Sequence, residues 1–126
     1  MRIIKNNHPE ISTKIVPGIS SISAAAALSN FNLAIKGETL IIKECPCVNS
    51  ELTSLIRDSR GNKTVLAIMK VGKRWNSVRE ILKKEDIINT SLIALSVGMA
   101  DQIIQYASQY KKEVMPYFSL ILIRFD

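Results

Sequence analysis

The run Thr64-Val65-Leu66-Ala67-Ile68-Met69 (TVLAIM) decides how the rest of the chain is read. It has the length of a strand, and no polar residue alternates with the apolar ones beyond its first position. Such a strand has both faces covered. Strands of that kind belong to layered α/β domains, in which helices flank a sheet. The next segment fits. Val71-Gly72 is a break, and Trp75, Val78 and Leu82 then recur on one helical face with Ile81 alongside, predicting an amphipathic helix over 77–84 supported by a Glu80–Lys84 pair.

Outward from this core the alternation continues. Upstream, Glu38 to Glu44 (ETLIIKE) reads as a strand stopped by Pro46. Asn49 is a predicted N-cap for a helix carrying Leu52, Leu55 and Ile56, and Gly61 stands where a C-terminal glycine cap belongs. Downstream, Ser91 to Val97 (SLIALSV) is a covered strand ended by Gly98. Residues 102–106 are short and ambiguous, and Tyr117 to Phe125 (YFSLILIRF) is a terminal strand. Near the start, residues 1–13 are polar and mixed. Lys14-Ile15-Val16 reads as the end of a β-branched strand broken by Pro17-Gly18, and ISSISAAAALS (19–29) is the strongest helix former in the chain. The reading is an α/β domain with a mixed sheet of about four to six strands and helices packed on it.

Composition narrows the function. With 126 residues, 47% hydrophobic and 22% charged, the chain has the balance of one globular domain, not of a disordered or fibrous one. No apolar run approaches the ~20 residues of a membrane span, and the opening MRIIKNNHPE does not read as a secretory signal. The net charge of +6 suits a polyanionic ligand, nucleic acid or lipid surface, or is simply a solvated lysine-rich exterior. With 6% aromatic residues and no recognisable binding motif, nucleic acid is disfavoured. Cys45 and Cys47 are too close and too few for a disulfide framework, and with His8 the single histidine there is no metal-ligand set. The expectation is no metal, no membrane, and a cytoplasmic protein with reduced thiols. No Gly-rich phosphate loop and no serine–histidine–acid arrangement occurs, so no catalytic side chain is assigned.

What remains are strand-end loops. Pro17-Gly18-Ile19-Ser20-Ser21, Met69-Lys70-Val71-Gly72-Lys73 and Val97-Gly98-Met99-Ala100-Asp101 each follow a predicted strand. In open α/β sheets ligands gather outside the carboxyl ends of strands, although glycine is common in any turn.

Taken in order, VPGISSISAAAAL, TVLAIMKVGK, SVGMADQII and YFSLILIR resemble the tetrapyrrole (corrin/porphyrin) methylase family over roughly residues 14–125, and within it the precorrin-2 C(20)-methyltransferase branch. The resemblance implies the C-terminal part of a two-domain enzyme of cobalamin biosynthesis that methylates carbon 20 of precorrin-2 with S-adenosylmethionine. Residues 1–35 would be the end of the first domain and 36–126 the C-terminal α/β domain, with the family's Gly-rich first motif not in this sequence. Met69, Gly98, Met99 and Ala100 would line the adenosine pocket, and Pro17 and Gly18 would face the cleft at the domain crossover. Lys70, Lys73 and Arg74 would meet the carboxylates of precorrin-2. A homodimer is implied, and by itself the chain would hold S-adenosylmethionine weakly or not at all. A non-catalytic dimerising remnant, or a methylase of another tetrapyrrole branch, is the alternative.

Overall fold

The computed structural model describes residues 2–125. It contains helices α1 (Arg2–Asn7), α2 (Ser21–Ser29), α3 (Asn49–Gly61) and α4 (Trp75–Lys84), and strands β1 (Thr39–Glu44), β2 (Thr64–Met69), β3 (Leu92–Leu95), β4 (Ile103–Tyr106) and β5 (Ser119–Ile123). The strands form one mixed sheet in the order β1-β2-β5-β3-β4. β1 and β2 are parallel, whereas β5 lies antiparallel between β2 and β3, and β4 is antiparallel to β3. β1, β2 and β3 therefore run the same way, and their carboxyl ends share one edge with the starts of β4 and β5.

The pleat divides the core into two layers. Leu66, Ile68, Ile93, Leu95, Ile121 and Ile123 face α3 and α4, meeting Leu52, Ile56, Trp75, Val78 and Leu82. The alternate residues Ala67, Ala94, Leu120 and Leu122 face α2, meeting Ile22, Ala25 and Ala26. Alanines on both sides of that second contact let the helix backbone approach the sheet closely, in the way small facing residues allow. Each central strand is thus apolar on both faces because each face carries a helix layer. β2 spans the residues expected of it, and β3 and β5 form within theirs, although Tyr117 and Phe118 stand exposed ahead of β5.

Several local expectations change. Lys14-Ile15-Val16 is exposed and forms no strand, because no neighbouring backbone lies alongside to pair with it. The mixed opening segment instead holds α1. α2 begins at Ser21, its N-cap Ser20 accepting from the Ser23 N–H, so Ile19 lies outside the helix. Asn49 is the first residue of α3, not its cap, since its side-chain oxygen is taken by Arg74. At the other end Gly61 is still helical, and Lys63 takes the left-handed backbone. Glu80 pairs with Lys83 at 2.8 Å in place of Lys84. The ambiguous stretch before Tyr106 is β4, a half-buried edge strand.

Candidate functional site

The shared edge has a repeated geometry. Lys70, just after β2, and Ser96, just after β3, both adopt left-handed backbone, with φ of 56° and 49°. Each turns its N–H toward the strand inserted between them. Lys70 N–H donates to the Ser119 carbonyl and Ser96 N–H to the Phe118 carbonyl, both at 2.8 Å. Non-glycine residues hold this conformation only where surrounding contacts impose it. Here the antiparallel β5 imposes it twice.

The two turns and the start of β5 enclose a cavity of about 340 Å³ on the α2 side of the sheet. Met69, Val97, Met99 and Leu120 give it apolar walls, Ser21 adds a hydroxyl, Ser119 lines it where β5 begins, and Lys70 supplies a cation. At its mouth Tyr117 and Phe118 meet edge to face, ring centres 5.3 Å apart, both more than half exposed. The 96–102 loop is braced from within. Ser96 Oγ donates to Asp101 Oδ2 at 3.1 Å, and the Gly98 N–H donates to Gln102 Oε1 at 2.8 Å. Gly98, at φ +83°, turns the chain so that Met99 faces the cavity.

Of the residues singled out by sequence, Met69, Lys70 and Met99 come together here. Gly98 and Ala100 lie on the exposed loop beside Met99 without lining the cavity, and Pro17 and Gly18 lie in the exposed stretch that leads to α2. Lys73 is exposed and forms no ion pair or side-chain hydrogen bond among the described residues. Arg74 turns away from the cavity. Its guanidinium donates to the Cys47 carbonyl and, at 2.6 Å, to Asn49 Oδ1, pinning the Cys-Pro-Cys turn to the start of α3. Burial pushes the Cys45 thiol up from its usual range, with Arg74 opposing.

Sequence reasoning reaches Ser21 only as the last residue of the 17–21 loop, and gives Tyr117, Phe118 and Ser119 no site role. Their signal is topological: only once β5 is known to sit between β2 and β3 do residues 117–119 fall beside Met69. A second groove, of about 370 Å³, lies between α3 and α4 over the Arg57–Glu85 ion pair. It is more polar and touches none of the three strand-end loops. Among the described residues no cluster of His, Cys, Asp and Glu is placed to hold a metal, and no helix is long and apolar enough to cross a membrane.

Residues 1–111 match the family model described as tetrapyrrole (corrin/porphyrin) methylases. The chain is 27% identical over 109 residues to cobalamin biosynthesis protein CobIJ of Mycobacterium tuberculosis, covering 86% of this chain and 21% of that protein. It is 25% identical over 112 residues to the cobalt-precorrin-2 C(20)-methyltransferase of Salmonella typhimurium, covering 87% and 46%. Among solved structures, it superposes on the methyltransferase CobJ with a TM-score of 0.64 and on the cobalt precorrin-4 methyltransferase CbiF with 0.66, at 20% and 18% identity. Each superposition covers 98% of this chain and 56% of the other, and at that identity it speaks for the fold alone. The chain thus spans less than half the length of these curated relatives.

Proposed function

This chain belongs to the tetrapyrrole (corrin/porphyrin) methylase family, and from that premise we propose that it forms part of an S-adenosylmethionine-dependent methyltransferase of cobalamin biosynthesis, acting at carbon 20 of precorrin-2. The observation that carries the reading is the cavity at the carboxyl ends of β2 and β3, where Met69, Lys70 and Met99 meet. Residues 1–35 are, on this reading, the end of a first domain and 36–126 the second. The name of the Salmonella relative supports the carbon-20 step. A methylase of another tetrapyrrole branch is the second reading, since the name CobIJ ties that relative to cobalamin biosynthesis without fixing a step.

The cavity fits the adenosine end of the cofactor. Its volume falls at the small end of the roughly 300–1,000 Å³ of small-molecule sites, and its walls are apolar with a few polar groups, as a purine requires. Met69 and Met99 hold the ring between them, with the backbone around Gly98 and Ala100 near its edge. Pro17 and Gly18 carry the chain past the mouth toward α2. The bound sulfonium supplies an already activated methyl group. This chain's residues therefore orient and shield; no side chain here moves a proton. Lys70 and Lys73 give the rim positive potential toward a polycarboxylate, whereas Arg74, turned away from the cavity, holds the Cys47 turn to the start of α3.

The chain, in this proposal, is cytoplasmic and self-associates as a homodimer. Ile22 is covered by the sheet, but Ile15, Val16, Ile19 and Leu28 are 60–85% exposed. Apolar side chains in such numbers along one stretch favour a partner. The cofactor reading is tested by titrating S-adenosylhomocysteine to millimolar levels while following the methionine methyl resonances. Weak binding that shifts Met69 and Met99 and leaves Met115 unmoved is expected. Undisturbed Met69 and Met99 signals at saturation would overturn the assignment.

A further inference from the structure

Glu44 closes β1, opposite Met69 in the register, and its Oε2 lies 3.2 Å from Lys70 Nζ. Both side chains face solvent, Lys70 45% and Glu44 67% exposed, so water is not excluded from the pair. Lys70 differs from an ordinary surface lysine in its backbone. The left-handed turn and the hydrogen bond to the Ser119 carbonyl fix where its side chain starts. From there it reaches the cavity mouth, beside Tyr117. Glu44, and then Tyr117, hold the ammonium above the usual lysine pKa. Glu44 makes no other side-chain hydrogen bond or ion pair among the described residues.

We propose that Glu44 is a specificity-determining residue, whose carboxylate occupies Lys70 until a carboxylate of a flat polyanionic ligand, seated against Tyr117 and Phe118, takes its place. This rests on the tetrapyrrole reading above and adds what selects the ligand. An exposed ion pair is weak, so exchanging one carboxylate for another costs little. A ligand that lacks a carboxylate within reach of Lys70 leaves the original pair intact and gains nothing from the lysine. A ligand that has one displaces Glu44, whose charge then opposes any further anion nearby. The two aromatic edges supply area to a conjugated ring, and the ammonium sets its rotation.

The test is a fluorescence titration of the full chain with uroporphyrin, a flat polycarboxylate, with S-adenosylhomocysteine binding measured separately. Glu44→Gln should tighten uroporphyrin about two- to fivefold, the worth of an exposed ion pair. Lys70→Gln should weaken it, and the gain from Glu44→Gln should vanish in the double variant. Both sites are exposed, so circular dichroism should show the native fold throughout. Unchanged or weaker binding by Glu44→Gln overturns the exchange. If S-adenosylhomocysteine binds while uroporphyrin ignores Glu44, only this inference falls. If neither probe binds any variant, the methylase-site reading falls with it.

Discussion

Gly72 and Ser119, forty-seven residues apart, are joined by a 2.9 Å hydrogen bond from the Gly72 N–H to the Ser119 hydroxyl. The same serine receives the Lys70 N–H on its carbonyl, so one residue at the start of β5 holds both ends of the turn that leaves β2. Ser119 is itself buried, which keeps water from replacing it freely. Ser119→Ala should therefore lower unfolding free energy by about 1 kcal/mol, the net worth of such a bond. Urea denaturation measures it; an unmoved midpoint would mean the Gly72 N–H finds solvent.

The contact between α2 and the sheet depends on small residues. Ala25 and Ala94 are essentially inaccessible, and each belongs to the layer shared by the helix and the strands. Ala94→Leu should force the helix outward and cost roughly 1–3 kcal/mol. Ile121→Ala, in the other layer, should cost about 2–5 kcal/mol through the cavity it leaves. Thermal unfolding of the two variants checks both, and a neutral Ala94→Leu would show that α2 is held loosely.

Glu38 carries a pH dependence. Its carboxyl is held below the ordinary value of 4.5, first by the Ile35 N–H, which donates to Oε2 at 2.7 Å, and then by Arg124. A depressed carboxyl contributes stability above its unfolded pKa, and that contribution fades as pH falls below 4.5 through the folded value. Wild type should exceed Glu38→Gln in urea midpoint at pH 7, and the gap should close in strong acid. A gap that stays constant with pH would assign the difference to packing.

The two thiols should react unequally. Cys45 is buried and its thiol is pushed up, whereas Cys47 is exposed. Iodoacetamide at pH 8 should label Cys47 at least about tenfold faster, with Cys45 reacting only on unfolding. Peptide mass spectrometry distinguishes them, and equal rates would mean the turn pinned by Arg74 opens readily.

Association is read by light scattering at micromolar concentration. A dimer is expected, and a clean monomer of 14.1 kDa would refute the homodimer. Replacing Ile15, Val16 and Ile19 together by serine should shift the equilibrium toward monomer without lowering thermal stability, since all three are exposed.

How far the sequence speaks depends on what each residue type records. The run 64–69 is legible because helices on both sides remove every polar residue beyond Thr64, itself buried at the strand's start. β4 is not, because Gln105 interrupts a strand only half-buried at the sheet edge. Ile15 and Val16 carry strand propensity, but propensity needs a neighbour to pair with. At the site, Met69 and Met99 are found from their loops, whereas Arg74 reads as part of a basic cluster until its direction is known. That direction is set by Cys47 and Asn49, far away in sequence. Tyr117 and Phe118 enter the site through strand order, which no local pattern encodes.

The placement of β5 also orders events in time. Among the described strands β5 comes last in chain order, yet it is the one that joins β2 to β3, so until it pairs the sheet exists as two separate halves. Each half shows an unpaired apolar edge during that wait, a natural target for holding chaperones. Losing Ser119–Ile123 would leave both halves unjoined, so these residues should be costlier to delete than β1 or β4 at the sheet edges.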